Sequence, residues 1–121
     1  MFVIINMNAP KFVGLLMNSR TQSHAFHLTT KSYAEHKALQ AYYEGIVPLL
    51  DAYAEAVMGK YGRFRKIKYG RKTIAKNPKL YFRTLLTQIR ALKLPRDSYL
   101  RNIQDEIVAL VRSTQYMLSL R

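Results

Sequence analysis

Residues 23–36 read SHAFHLTTKSYAEH, and this stretch decides the fold because it joins two long helical patterns. Its first half, up to Leu28, continues the apolar spacing of a preceding helix. Its second half contains SYAE at residues 32–35, the Ser-x-x-Glu form of a capping box that starts a helix. Only residues 29–32 separate the two patterns. The stretch therefore predicts a short turn that brings the end of one helix close to the start of the next.

Working outward from this turn, apolar residues recur at helical spacing through most of the 121 residues, and no strand pattern appears beyond the apolar run at residues 2–5. A hydrophobic content of 49% suits one buried core in a chain of this length. The sequence predicts one all-α domain over residues 1–121, a four-helix bundle with a basic loop at 60–76 between helices 2 and 3. The predicted helices cover about residues 9–29, 33–58, 78–93 and 98–119.

Caps and helix breakers set these predicted boundaries. We expect Asn8, Asn77 and Asp97 to be N-caps, because each directly precedes an apolar helical pattern. Gly59 is the expected end of the second helix. Pro48 lies inside that helix, where its missing N–H predicts a kink.

The positive charge is confined to one third of the chain. Between residues 56 and 96 there are thirteen Lys or Arg and no Asp or Glu, whereas the rest carries seven basic and seven acidic residues. A net charge of +13 in one segment indicates an acidic partner, nucleic acid before any other, and the absence of a base-reading motif predicts sequence-independent contact. The predicted phosphate contacts are Lys60, Arg63, Arg65, Lys66, Lys68, Arg71, Lys72, Lys76, Lys79 and Arg83, and the predicted aromatic contacts to bases or ribose are Tyr61, Phe64 and Tyr69.

Several classes of function have no support in the sequence. There is no cysteine, so disulfides, cysteine-ligated zinc and thiol catalysis are excluded. No glycine-rich phosphate loop and no serine on a nucleophile elbow occurs. Residues 1–11 lack the pattern of a secretory signal, and no apolar run has the length that spans a bilayer. We expect a cytoplasmic protein without a membrane partner.

Histidines and carboxylates form a second pattern. All three histidines, His24, His27 and His36, lie in the turn stretch, and Asp51 and Glu55 follow at i and i+4 on helix 2 with no basic residue within four positions. His36 and Asp51 share one side of helix 2 but stand roughly 22 Å apart along it. An antiparallel copy of helix 2 across a two-fold axis would bring them together. Such a nitrogen and oxygen ligand set suits Fe(II), Zn(II) or Mn(II).

These residues resemble a known family. The spacings of twelve, fifteen and four residues that separate His24, His36, Asp51 and Glu55 resemble those of Dps, the DNA-protecting mini-ferritins of the ferritin-like superfamily, over about residues 12–59. The resemblance implies a ferritin-like bundle, at least dimeric, with a ferroxidase site between subunits that oxidises Fe(II) with peroxide or oxygen beside DNA. His27 aligns with the first ligand as well as His24 does if three residues are deleted, so the identity of that ligand stays open.

Other functions remain open from the sequence. Residues 27–36 and 99–108 are similar to small phage-encoded ferritin-like proteins of unassigned function, for which the fold implies no activity. The alternative is therefore a non-enzymatic, viral, nucleic-acid-binding or structural protein on a degenerate ferritin-like bundle. Gln40 favours this alternative, because the mini-ferritins often have Asp at that position. A third hypothesis is an adaptor or inhibitor whose basic face binds an acidic protein.

Overall fold

The computed structural model of the chain describes residues 8–70 and 76–120, and all the regular structure within those ranges is helical. The four-helix prediction is thereby confirmed for the described residues, while the apolar run at residues 2–5 lies outside them. Helix α2 packs against both α1 and α4, and the shorter α3 packs against α4 and α1. The helices are α1 (Ala9–Thr29), α2 (Tyr33–Tyr61), α3 (Pro78–Arg90) and α4 (Ser98–Leu118).

The turn between α1 and α2 forms where its sequence predicts, with the serine half of the capping box in place and the Ser32 N–H bonded to Thr30 Oγ1 at 3.1 Å instead of to Glu35. Ser32 is the N-cap of α2, and its hydroxyl accepts a hydrogen bond from the Glu35 N–H at 3.2 Å. The Glu35 carboxylate accepts from the Thr30 hydroxyl at 2.8 Å. The Thr30 N–H bonds to the Phe26 carbonyl at 2.9 Å and ends α1. These short-range bonds hold the two long helices in an antiparallel hairpin.

Two helix ends differ from the prediction for local reasons. Helix α2 runs without a break through Pro48 and past Gly59, and it ends at Gly62, which has a φ of 99°. Glycine is favoured at such a left-handed position, so the second of two nearby glycines ends the helix. Helix α3 ends at Arg90, because the N–H groups of Ala91 and Leu92 bond to carbonyls three residues back and tighten the last turn.

Of the three residues predicted as N-caps beside Ser32, one forms a cap bond and two bond elsewhere. Asn77 caps α3, accepting from the Leu80 N–H at 2.9 Å. Asn8 and Asp97 precede α1 and α4 without making a cap bond. The Asn8 side chain accepts instead from the Lys93 N–H at 2.8 Å, which ties the start of α1 to the loop before α4. Both corrections come from tertiary partners that a local pattern does not contain.

Aromatic side chains fill the centre of the bundle. Tyr42 of α2 meets Phe82 of α3 edge to face at 4.8 Å between ring centroids, and Phe12 meets Tyr53 in the same way at 5.1 Å. The Ser19 hydroxyl donates to the Leu16 carbonyl, so the buried Tyr42 hydroxyl donates to Ser19 Oγ at 2.7 Å. Burial raises the pKa of Tyr42, because a phenolate would lose its hydration there. Tyr42 and Tyr53 are thus core residues.

Candidate nucleic-acid interface and histidine cluster

The connector after α2 is docked on α1. We call residues 62–70 the docked connector, and they have no helix or strand. The Lys68 N–H points at the Pro10 carbonyl at 3.4 Å, and the Asn18 side-chain amide donates to the Tyr69 carbonyl at 2.8 Å. Gly14 lies directly beneath, where an added Cβ would come within 2.1 Å of the Lys68 carbonyl oxygen. The segment that the sequence presents as a basic loop is therefore held against a helix by its backbone.

The docked connector turns its apolar side chains inward and its charges outward. Phe64 and Ile67 are half-buried and pack against the core. The basic residues between and beside them, Arg65, Lys66 and Lys68, are exposed. Apolar anchoring thus fixes the backbone that presents the cations, so they extend from a held segment.

Every described Lys and Arg between residues 60 and 96 is exposed to solvent. In the described ranges, the single ion pair joins Lys60 Nζ to Asp97 Oδ2 at 3.6 Å. The predicted contacts Arg71 and Lys72 lie outside the described residues. The same acid-free segment contains three cations that the sequence analysis did not predict as contacts: Arg90, Lys93 and Arg96. Their position in that segment could have identified them. We call these residues the basic surface: Lys60, Arg63, Arg65, Lys66, Lys68, Lys76, Lys79, Arg83, Arg90, Lys93 and Arg96.

Separate parts of the basic surface meet around the start of α1. The backbone of Lys68 approaches Pro10, and the backbone of Lys93 bonds to Asn8, so residues 25 positions apart in the chain meet at the first turn of one helix. Lys60 and Tyr61, at the end of α2, contact Asp97 in the loop that also contains Lys93. The fold therefore brings the backbones of two distant parts of the basic segment to the start of α1, and it pairs one cation, Lys60, with Asp97.

The three aromatics predicted to contact nucleic acid have different environments. The Tyr61 hydroxyl donates to Asp97 Oδ1 at 2.5 Å, and Phe64 packs on the core, so both rings serve the fold. Tyr69 is 53% exposed, next in the chain to the exposed Lys68. Tyr99, which sequence reasoning missed, is 46% exposed at the start of α4 and close enough to Tyr61 to affect its ionisation. The basic residues on both sides of Tyr99 in the sequence, Arg96 and Arg101, could have indicated it as a contact residue.

The Tyr61–Asp97 bond sets the electrostatics at this end of the connector. Donation from the Tyr61 hydroxyl holds the pKa of Asp97 below its usual value, with Lys60 as a lesser cause. The same bond raises the pKa of Tyr61 to about 12, because the phenol proton is shared with a carboxylate. At neutral pH the pair is a charge-assisted hydrogen bond that closes α2 onto the start of α4.

At the other end of α1, His27 and His36 form a reciprocal pair. Nδ1 of His27 lies 2.7 Å from the His36 carbonyl oxygen, and Nδ1 of His36 lies 2.8 Å from the His27 carbonyl oxygen. Because a carbonyl oxygen only accepts, each Nδ1 carries a proton. The rings stack at 3.7 Å between centroids. A neutral ring in this arrangement therefore has its lone pair on Nε2. The two hydrogen bonds join the end of α1 to the start of α2.

The structure brings the three histidines together, as the sequence predicts. His24 stacks on Tyr43 at 4.5 Å and lies 6.1 Å from His27 between ring centroids. Asp51 and Glu55 are exposed farther along α2. Among the described residues, which include every His, Asp and Glu of the chain, no group of three could hold a metal ion within one chain. The predicted site takes ligands from two chains, so it stays a prediction.

Comparisons with known proteins find one family and one phage relative. The profile of a family of unknown function, DUF5856, matches residues 27–118. An uncharacterized 14.6 kDa protein from the mobD-ri intergenic region of Enterobacteria phage T4 is 29% identical over 114 residues, covering 93% of this chain and 88% of that protein. No solved structure matches the chain.

These findings agree with the predicted likeness to phage proteins, whereas the ferritin-like likeness stays a prediction. Within the described ranges, none of the helices is long and apolar enough to cross a bilayer. The family match extends from the reciprocal histidine pair to the end of α4, and thus over most of the chain. The protein belongs to DUF5856, a family of unknown function.

Proposed function

We propose that this protein binds nucleic acid without sequence preference through the basic surface. The observation that carries the proposal is the convergence at the start of α1, where the backbones of Lys68 and Lys93, from distant parts of one acid-free segment, are both attached. Phosphate backbones supply closely spaced negative charge, and binding them releases condensed counterions. A phage relative fits a protein that acts on nucleic acid in the cytoplasm of an infected cell.

The held backbone favours this function over a solubilising loop. Docking against α1 fixes the segment before any ligand arrives, so less conformational entropy is lost when the ligand binds. Solubility alone would need neither the inward anchors Phe64 and Ile67 nor the close approach at Gly14. An acidic protein partner is the competing hypothesis, and its affinity would not follow the counterion release of a polyphosphate.

Salt dependence tests this proposal. The affinity of the full chain for a fluorescein-labelled 20-mer of mixed sequence is measured by anisotropy between 50 and 200 mM NaCl. We expect log K to fall linearly with log salt, with a slope of about −0.7 to −0.9 for each phosphate contacted. A double variant, Lys93→Gln with Arg96→Gln, should weaken binding to all sequences alike and reduce the slope by about two.

The matched control replaces two exposed lysines outside the basic surface, Lys31→Gln with Lys37→Gln. This control should retain the slope of the wild type. Absence of binding at 50 mM salt contradicts the proposal, and so does an equal loss in the control. Binding to an acidic protein together with absence of binding to nucleic acid would support the adaptor hypothesis.

A metal site between subunits is the second candidate, and one specific observation favours it. Both Nδ1 atoms of the reciprocal pair are donors, so the Nε2 atoms of His27 and His36 are the ring nitrogens able to ligate a metal. Asp51 and Glu55 are exposed on α2 and make no ion pair among the described residues. The function would be Dps-like oxidation of Fe(II) on a ferritin-like homodimer or higher oligomer, with Zn(II) or Mn(II) as other metals.

Calorimetric titration with Fe(II) and Zn(II) tests this second candidate. We expect binding in the wild type that is lost in both His36→Ala and Asp51→Ala, together with a dimer in sedimentation velocity. His24→Ala and His27→Ala compared in the same titration identify the ligand in α1. Absence of binding in a dimeric wild type contradicts the metal site and leaves nucleic-acid binding unaffected.

A further inference from the structure

We propose that the basic surface takes single-stranded nucleic acid and that Tyr69 is a platform on which one base stacks. The inference rests on the proposed function and adds to it the class of nucleic acid. Charge alone does not distinguish a single strand from a duplex, because both offer phosphates. An exposed aromatic ring does, because a base must leave its own stack before it can lie on the ring.

The first argument is the placement of Tyr69. Its carbonyl accepts from the Asn18 amide at 2.8 Å, and the neighbouring Lys68 backbone rests on Gly14 and approaches Pro10. The backbone is therefore fixed on both sides of the Cα atom that bears the ring. A fixed backbone leaves few freedoms to lose when the ring orders against a base.

The second argument is the environment of the ring. Tyr69 is 53% exposed although the inward positions of the same connector, Phe64 and Ile67, are half-buried. Lys66 and Lys68, three and one positions before it in the chain, are exposed and available for phosphates next to a stacked base. An exposed ring among cations on a held backbone is the combination that single-strand binding surfaces use.

The experiment compares three ligands of equal length with the full chain: the 16-mer dT16, a 16-base-pair duplex and a 16-mer of abasic sites. The wild type should bind dT16 more tightly than the abasic strand. Tyr69→Ala should weaken dT16 binding about five- to hundredfold, the range of one lost stacking contact, and leave the duplex and the abasic strand unchanged. Tyr69→Phe should bind dT16 like the wild type, because the ring is retained.

Tyr116→Ala is the matched control, since Tyr116 is 65% exposed on α4 but lies outside the basic surface. An equal loss for all three ligands in Tyr69→Ala overturns the inference, because it would indicate a disturbed connector. Unchanged dT16 binding by Tyr69→Ala overturns the inference as well. The proposed function would then still be supported by the salt dependence of binding. If the wild type binds none of the ligands at 50 mM salt, the inference and the proposed function both fail.

Discussion

Helix α1 holds two different attachments, the histidine turn at its end and the docked connector along its first half. In the histidine turn, polar side chains face inward, and the rings of His27 and His36 bond to backbone carbonyls. In the docked connector, backbone groups face inward and the side chains of residues such as Lys66 and Lys68 face solvent. The histidines thus stabilise the fold, although histidine is usually linked to catalysis. The docked connector, which has no regular structure, presents the positive charges to solvent.

The difference shows how charge is distributed over the molecule. Residues 8–59 contain four basic and four acidic residues, whereas residues 60–96 contain thirteen basic residues and no acidic residue. The neutral hairpin provides the support, and the basic segment folds back onto its α1 side. Breaking the connector attachment and breaking the histidine attachment should therefore affect stability and trypsin cleavage differently. The following variants test this, from the largest expected effect to the smallest.

Gly14→Ala should detach the docked connector and give the largest effect. The new Cβ would lie 2.1 Å from the Lys68 carbonyl oxygen and 2.6 Å from its carbon, so the backbone must move. We expect the free energy of unfolding to fall by about 1–3 kcal/mol, although alanine is the better helix former. Trypsin should cut at Arg63, Arg65 or Lys66 at least about tenfold faster, because local opening of the connector becomes easier by about 1.4 kcal/mol.

Gly59→Ala is the matched control for that substitution. Gly59 is helical and exposed near the end of α2, and an added Cβ meets nothing within 4 Å. The control should gain up to about 1 kcal/mol of stability from helix propensity and show unchanged trypsin cleavage. A Gly14→Ala protein as stable and as resistant as this control would contradict the docking of the connector.

His27→Ala should break the other attachment with the second largest effect. It removes a buried side chain, a hydrogen bond to the His36 carbonyl and a ring stack. We expect a loss of about 1–3 kcal/mol in the free energy of unfolding, measured by urea titration at pH 7.5. Trypsin cleavage of the docked connector should remain at the wild-type rate, because the connector meets the opposite part of α1.

His24→Ala provides the comparison for the histidine turn. His24 is half-buried and makes ring contacts to Tyr43 and His27, so its removal should cost only about 0.5–1 kcal/mol. Equal losses at the two positions would argue against a special role for the reciprocal pair. Because this measurement needs no metal, it also shows how much of any metal-binding loss in His27→Ala is structural.

The sequence predicted the helices well because their signals are local. Apolar periodicity located all four helices, and the Ser32 and Asn77 caps form bonds to residues three positions along the chain. Gly62 rather than Gly59 ends α2 because the choice between two glycines depends on where the following chain must go. The local pattern does not contain that information.

The candidate sites were predicted less completely because they depend on contacts between distant residues. Sequence grouped the three histidines but could not show that their Nδ1 atoms are bonded to backbone carbonyls nine residues apart. It identified the basic segment but not the packing of its backbone against Gly14. It also did not show that the Tyr61 hydroxyl bonds to Asp97. In each case the deciding partner lies in another element of the chain, beyond the reach of a local pattern.

Tyr61→Phe should give the smallest effect and one that depends on pH. Asp97 has a folded pKa below its unfolded value of 3.8, so its contribution is fully present above that value and is lost as pH falls through the folded pKa. Tyr61 has a folded pKa of about 12 against 10.0 unfolded, so its contribution is present below pH 10 and is lost as pH rises towards 12. The wild type should therefore exceed the variant in urea midpoint at pH 7 and lose this advantage at both extremes.

Urea midpoints at pH 3, 7 and 11 measure this profile, with Tyr99→Phe as the control that removes a nearby exposed phenol. The control should track the wild type at pH 3 and 7, because Tyr99 does not bond to Asp97 in the described contacts. A difference between Tyr61→Phe and the wild type that stays constant across all three pH values would mean that the Tyr61 hydroxyl stabilises the fold independently of the ionisation of Asp97 and Tyr61. A difference confined to the middle of the range would place a pH-sensitive bond at the connector end of the molecule, opposite the histidine turn.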